Sequence, residues 1–181
     1  MLRFIKLLFQ LIMSPARGWE DISAEGIDPS RLARTGFFPL TVMMGLAVFL
    51  QGVYHLEHTF VKLLDLAVIE FVAFFVSYFI ATHFMSTYIY RFTDSIPSEK
   101  RNHTYVLMGQ SLLALSLLVQ NCLPFDIDLV LFLGIYTAIV LWRGDRYMAV
   151  REESVGRFMI FTILTVIVPP VLIIFIFNLI L

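Results

Sequence analysis

A chain of 181 residues that is 59% hydrophobic, with a mean hydropathy of +0.85, carries more apolar surface than a soluble domain of its size can enclose, so lipid must cover the remainder. Charged residues are only 15% of the chain, and 13 basic and 14 acidic side chains nearly cancel, which excludes the basic field that nucleic-acid binding needs. The single cysteine, Cys122, can form no internal disulfide and suits a small hydrophobic packing role.

Residues 1–36 are predicted to form a cytoplasmic segment with interfacial helices. Leu2 to Met13 is apolar but, at roughly 18 Å as a helix, too short for a hydrocarbon core of about 30 Å. Arg3, Lys6, Gln10 and Ser14 share one helical face and apolar residues fill the rest, the pattern of an amphipathic helix lying in the membrane surface. Lys6 and Gln10 interrupt the apolar run too early for a cleaved signal peptide. Ser14-Pro15 then opens a second helix, with Ser14 placed to cap it, and Asp28-Pro29-Ser30 opens a third by the same logic. Trp19, an amphipathic ring suited to the headgroup layer, joins Arg3 and Lys6 as the expected lipid-interface residues.

Residues 37–181 are expected to form an all-α, polytopic membrane helical bundle of five transmembrane helices, at about 37–54, 63–88, 105–123, 125–142 and 158–181. The fourth is the shortest, because Asp126 and Asp128 leave only Leu129 to Trp142 uncharged, and Pro169-Pro170 is expected to kink or interrupt the fifth. The basic residues fix the count. All of the 13 but Lys62 fall before the first span, between the second and third, or between the fourth and fifth. Lysine and arginine stay cytoplasmic in short loops, so these three stretches face the cytoplasm and the C-terminus emerges on the other side. Without the fourth span the alternation breaks.

In lipid, contact faces are marked by small and polar residues. Thr41, Gly45, Val48 and Gly52 form one such stripe in the first span; Ala67, Glu70, Ala73, Ser77 and Ala81 form another in the second. In the third, Gln110, Ala114, Leu117 and Asn121 share a face with Gln120 adjacent.

Glu70 is the sharpest functional candidate, an ionisable side chain about 10 Å inside the outer end of the second span. A charge at a helix centre costs about 2.5 to 3.5 kcal/mol on insertion scales, so Glu70 should face protein or water. Gln110, Gln120 or Asn121 could hydrogen-bond it, giving an intramembrane polar site that is either a proton- or cation-linked pathway or a structural tie between helices. His55 and His58, in His55-Leu56-Glu57-His58 after the first span, are weak metal candidates, with Asp65, Asp126 and Asp128 as further acidic residues in prospect; no metal and no cofactor is assigned. No nucleophile elbow, phosphate-binding glycine loop or cysteine cluster is present, which disfavours an enzyme. The Arg143-Gly144-Asp145-Arg146 loop supplies topology and contact with anionic lipid, or a docking point for a cytoplasmic protein.

The segment Ser14-Pro15-x-x-Gly18-Trp19-Glu20-x-Ile22, followed by Pro39 at the head of the first span and then four further spans, resembles prokaryotic members of the Yip (Ypt-interacting protein) family. The eukaryotic members are similar five-span proteins that bind Rab-type GTPases and assist vesicle traffic or membrane shaping. Their acidic-Leu-Tyr-Gly-Pro signature is absent from this sequence, and no catalytic residue is implied. The basic cytoplasmic loops and the absence of catalytic motifs point to a noncatalytic scaffold or adaptor, with lipid and a cytoplasmic or membrane protein, or a second copy of the chain, as partners, and the resemblance implies a bacterial inner membrane. The rival reading is a small transporter or channel subunit built around Glu70.

Overall fold

A computed structural model describes residues 1–55, 57–124 and 129–180. Within them the chain is all-helical: α1 (Leu2–Met13), α2 (Pro15–Glu25), α3 (Pro29–Tyr54), α4 (Phe60–Arg91), α5 (Glu99–Asn121), α6 (Leu129–Trp142) and α7 (Glu152–Ile180). Three of these, α3, α4 and α7, are long and apolar enough to cross a membrane. Helix α5 has 23 residues, about 34 Å, but carries Gln110, Ser111, Ser116 and Asn121 within it. Helix α6 has 14 residues, about 21 Å. Each predicted span falls on one helix, but α3, α4, α5 and α7 begin at Pro29, Phe60, Glu99 and Glu152, before the apolar runs do. The opening of the fourth predicted span, with Phe125, Asp126 and Asp128, lies outside the described residues, as do Leu56 and Leu181.

Proline does not break the long helices, and the reason is local. A proline ring crowds the carbonyl four residues earlier and removes one hydrogen bond. Upstream of Pro39 the chain makes a π-helical turn at Ala33–Phe37, which includes Thr35; upstream of Pro169 and Pro170 it makes another at Ile163–Ile167, which includes Thr165 and Val166. The wider turn absorbs the misfit. The interruption expected at Pro169-Pro170 therefore takes the form of a π turn, and α7 continues to Ile180.

Helices α1 and α2 form a tight hairpin. Ser14 turns the chain with φ −151 and ψ 84, Pro15 starts α2, and a Cβ on Gly18 would stand 2.8 Å from the Leu11 Cα. Neither Ser14 nor Asp28 makes a side-chain capping hydrogen bond. Gly26, at φ 53, closes α2 in the left-handed conformation that glycine adopts without steric cost. Phe4, Leu7, Leu8 and Leu11 are buried in the same continuous core as Trp19, Phe37, Met85, Tyr105 and Val166, so the first thirty-six residues pack onto the bundle itself. On the far side of α1, Leu2, Ile5, Phe9 and Met13 remain exposed.

Helix α5 sits at the centre, packed against α3, α4 and α6, and is buried along most of its length. The surrounding helices turn large apolar residues outward: Val42, Leu46 and Val53 on α3; Val68, Val72, Phe75 and Phe79 on α4; Phe132, Ile135 and Ile139 on α6; Leu164, Leu172 and Phe175 on α7.

At one end the polar connections touch. Lys100 Nζ donates to the Gly26 carbonyl at 2.6 Å, the Arg151 amide donates to the Phe92 carbonyl at 3.0 Å, and Arg151 Nη2 donates to the Arg91 carbonyl at 2.7 Å. Thr93 and Val150 add an isolated β-bridge, and the Thr93 hydroxyl donates to the Ala149 carbonyl at 2.7 Å. The N-terminal segment, the α4–α5 connection and the α6–α7 connection thus make one polar platform. Gln51 and Asn121 meet at the opposite end of their helices.

Candidate functional site

Glu70 lies on the buried stripe of α4 with Leu63, Ala67, Ala73, Ser77 and Ala81. Helix α3 approaches this stripe closely because Gly45 has no side chain: a Cβ there would stand 3.0 Å from the Ala67 carbonyl oxygen. The carboxylate is 7% exposed and has a defined partner, for Asn121 Nδ2 donates to Glu70 Oε2 at 2.8 Å. The same nitrogen donates to the Met44 carbonyl at 3.3 Å, and Asn121 Oδ1 accepts from Gln51 Nε2 at 2.8 Å. One carboxamide therefore ties α3, α4 and α5 together with both its nitrogen and its oxygen engaged. Such a tie is favourable in an apolar setting because each unmade bond would leave a desolvated polar group.

Of the residues grouped with Glu70 from sequence, only Asn121 is shown on the carboxylate. Gln110 shares the face but lies about three turns away, roughly 16 Å along α5. It is fully buried, and neither polar atom of its amide has a hydrogen-bond partner among the described residues. Gln120, next to Asn121, is half-buried at the C-terminal end of α5. Gln51 was not anticipated, although it continues the Gly45, Val48 stripe by one turn and could have been found there.

Among the lipid-interface candidates, Arg3 is exposed and pairs with Glu25 at 2.8 Å, and Lys6 is exposed. Trp19 is placed inside the protein at 2% exposure. Its ring is sandwiched between Tyr105 and Tyr147, with centroids 5.2 and 5.0 Å away, and its indole N–H donates to the Val140 carbonyl at 2.8 Å. The Tyr105 hydroxyl donates to the next carbonyl, Leu141, at 2.8 Å. A Cβ on Gly144 would collide with both rings, 2.7 Å from Tyr105 and 2.9 Å from Trp19, so this position must stay bare. Trp19, seated against Val140 and Gly144, thus latches α2 onto the end of α6.

At the other end of the bundle, His55 and His58 stack at 5.3 Å and His55 Nδ1 lies 3.5 Å from Glu57 Oε1. The Glu57 carboxyl is held below the usual carboxylate range, chiefly by a backbone hydrogen bond, with His55 and His58 adding to it. Among the described residues no three histidine, cysteine, aspartate or glutamate side chains group as metal ligands do; Asp126 and Asp128 lie outside them.

Compared with protein-family models, with curated proteins and with solved structures, the chain matches none.

Proposed function

We propose that the chain is a noncatalytic membrane scaffold or adaptor of the Yip type, with five spans, a cytoplasmic N-terminus and an extracytoplasmic C-terminus in a bacterial inner membrane. The observation that carries this reading is the polar platform. The three basic stretches that the charge rule assigns to the cytoplasm are held against one another by Lys100, Arg151, Thr93 and Trp19. A surface assembled from three separate connections is suited to holding a protein partner and keeping its shape. Helix α1 fits an interfacial position, since Leu2, Ile5, Phe9 and Met13 form an outward apolar strip beside Arg3 and Lys6.

The rival, transport through Glu70, is less well supported, because the Asn121 carboxamide is used up in binding α3 and α4 to α5. Crosslinking in native membranes followed by copurification tests the scaffold reading. A partner recovered through residues of the platform supports it. A protein recovered alone under these conditions, with Glu70-dependent ion flux in proteoliposomes, would replace it.

A further inference from the structure

Between α2 and the end of α6 the platform contains a cavity of about 350 Å³, within the size range of small-ligand sites. Trp19, Glu20, Trp142, Arg143, Asp145 and Arg146 line it. Two features bear on what it can hold. First, its charges balance, two guanidinium groups against two carboxylates, and Glu20, Arg143 and Arg146, all exposed at its rim, form no ion pair among the described residues. Asp145 Oδ1 accepts only from the Arg146 backbone amide, at 2.7 Å. Opposite charges placed around one cavity and not closed on each other can be satisfied together by a ligand that carries both signs. Second, the cavity opens where an apolar helix ends. Trp142 is the last residue of α6, and Ile135, Ile139 and Trp142 form an exposed stripe leading up to it.

We infer that this cavity binds a phosphate group carrying a primary ammonium, the chemistry of a phosphoethanolamine headgroup. Arg143 and Arg146 take the phosphate, for which the planar guanidinium fork is suited. Glu20 and Asp145 accept from the ammonium, and the exposed Trp142 ring offers it a face. A purely anionic headgroup meets both carboxylates and is disfavoured. The acyl chains of a lipid ligand run along the Ile135, Ile139, Trp142 stripe. The inference rests on the membrane reading above, which puts the end of α6 at the polar boundary of the bilayer.

The test is native mass spectrometry of the full chain in detergent, titrated with phosphatidylethanolamine, phosphatidylcholine and phosphatidylglycerol of identical acyl chains, and separately with soluble phosphoethanolamine. Phosphatidylethanolamine is expected to be retained on the order of tenfold better than phosphatidylglycerol. Arg143→Gln with Arg146→Gln abolishes the retention, while Glu20→Gln with Asp145→Asn shifts preference toward phosphatidylglycerol; unchanged circular dichroism shows that both variants fold. Soluble phosphoethanolamine binding as tightly as the lipid assigns the site to a soluble ligand, and weaker binding assigns it to the headgroup. Equal retention of phosphatidylethanolamine and phosphatidylglycerol, equal retention of phosphatidylcholine, or retention indifferent to the arginines overturns the site and leaves the membrane reading intact. Failure of the chain to insert into liposomes at all overturns both.

Discussion

The indole N–H of Trp19 donates to the main-chain carbonyl of Val140, a hydrogen bond that spans 121 residues of sequence and fastens the N-terminal hairpin to the end of α6. Trp19→Phe keeps a ring between Tyr105 and Tyr147 but leaves that carbonyl without its side-chain donor, for an expected loss of about 1 to 3 kcal/mol. Trp19→Ala also empties the space and should cost about 3 to 5 kcal/mol. Thermal unfolding in detergent measures the order. Limited proteolysis should find residues 1–36 newly cleavable in Trp19→Ala and still protected in Trp19→Phe.

Gly18 faces the backbone of Leu11, and backbone cannot step aside as a side-chain tip can. Gly18→Ala is therefore expected to force α1 and α2 apart, at about 1 to 3 kcal/mol. Gly134 offers a control, because a Cβ there meets nothing within 4 Å and the position is inside α6; Gly134→Ala should stabilise the protein by up to about 1 kcal/mol. Equal effects of the two substitutions on the unfolding midpoint would show that the hairpin contact contributes nothing.

The Glu70–Asn121 contact yields a prediction that separates structure from transport. Glu70→Gln keeps an oxygen acceptor for Asn121 Nδ2 and should leave assembly intact, whereas Glu70→Leu removes the acceptor at 2.8 Å, leaves Asn121 Nδ2 only the Met44 carbonyl, and should cost about 1 to 3 kcal/mol. Adding Asn121→Leu to Glu70→Leu should cost less than the two single losses together, because both act on one interaction. Folding stability read by chemical denaturation in micelles gives the coupling. Strict additivity would contradict the three-helix tie.

The contact faces of the bundle were legible in the sequence because small residues in lipid have few other uses. Gly45 meets Ala67, and Glu70 meets Asn121, on the stripes that spacing alone identified. Helical periodicity gives a residue its face but not its height, which is why Gln110 shares a stripe with Asn121 and yet lies far along α5 from the carboxylate. Trp19 illustrates a different limit. An amphipathic ring suits the headgroup layer and suits a buried niche with one carbonyl acceptor equally well, and the niche depends on Tyr105, Tyr147 and Val140, which no local pattern connects to it. The π turns before Pro39 and Pro169 were likewise invisible, since any helical sequence can supply one where proline demands it.

Side-specific cysteine labelling in intact membranes tests the central claim most directly. With Cys122 replaced by serine, single cysteines at Ser23, Ser95 and Arg146 sample the three stretches of the platform, and one at Glu57 samples the opposite end. An impermeant maleimide is expected to label Glu57→Cys from outside, and to reach Ser23→Cys, Ser95→Cys and Arg146→Cys only after the membrane is opened. Labelling of Ser95→Cys from the same side as Glu57→Cys would contradict the alternation of spans on which the platform depends.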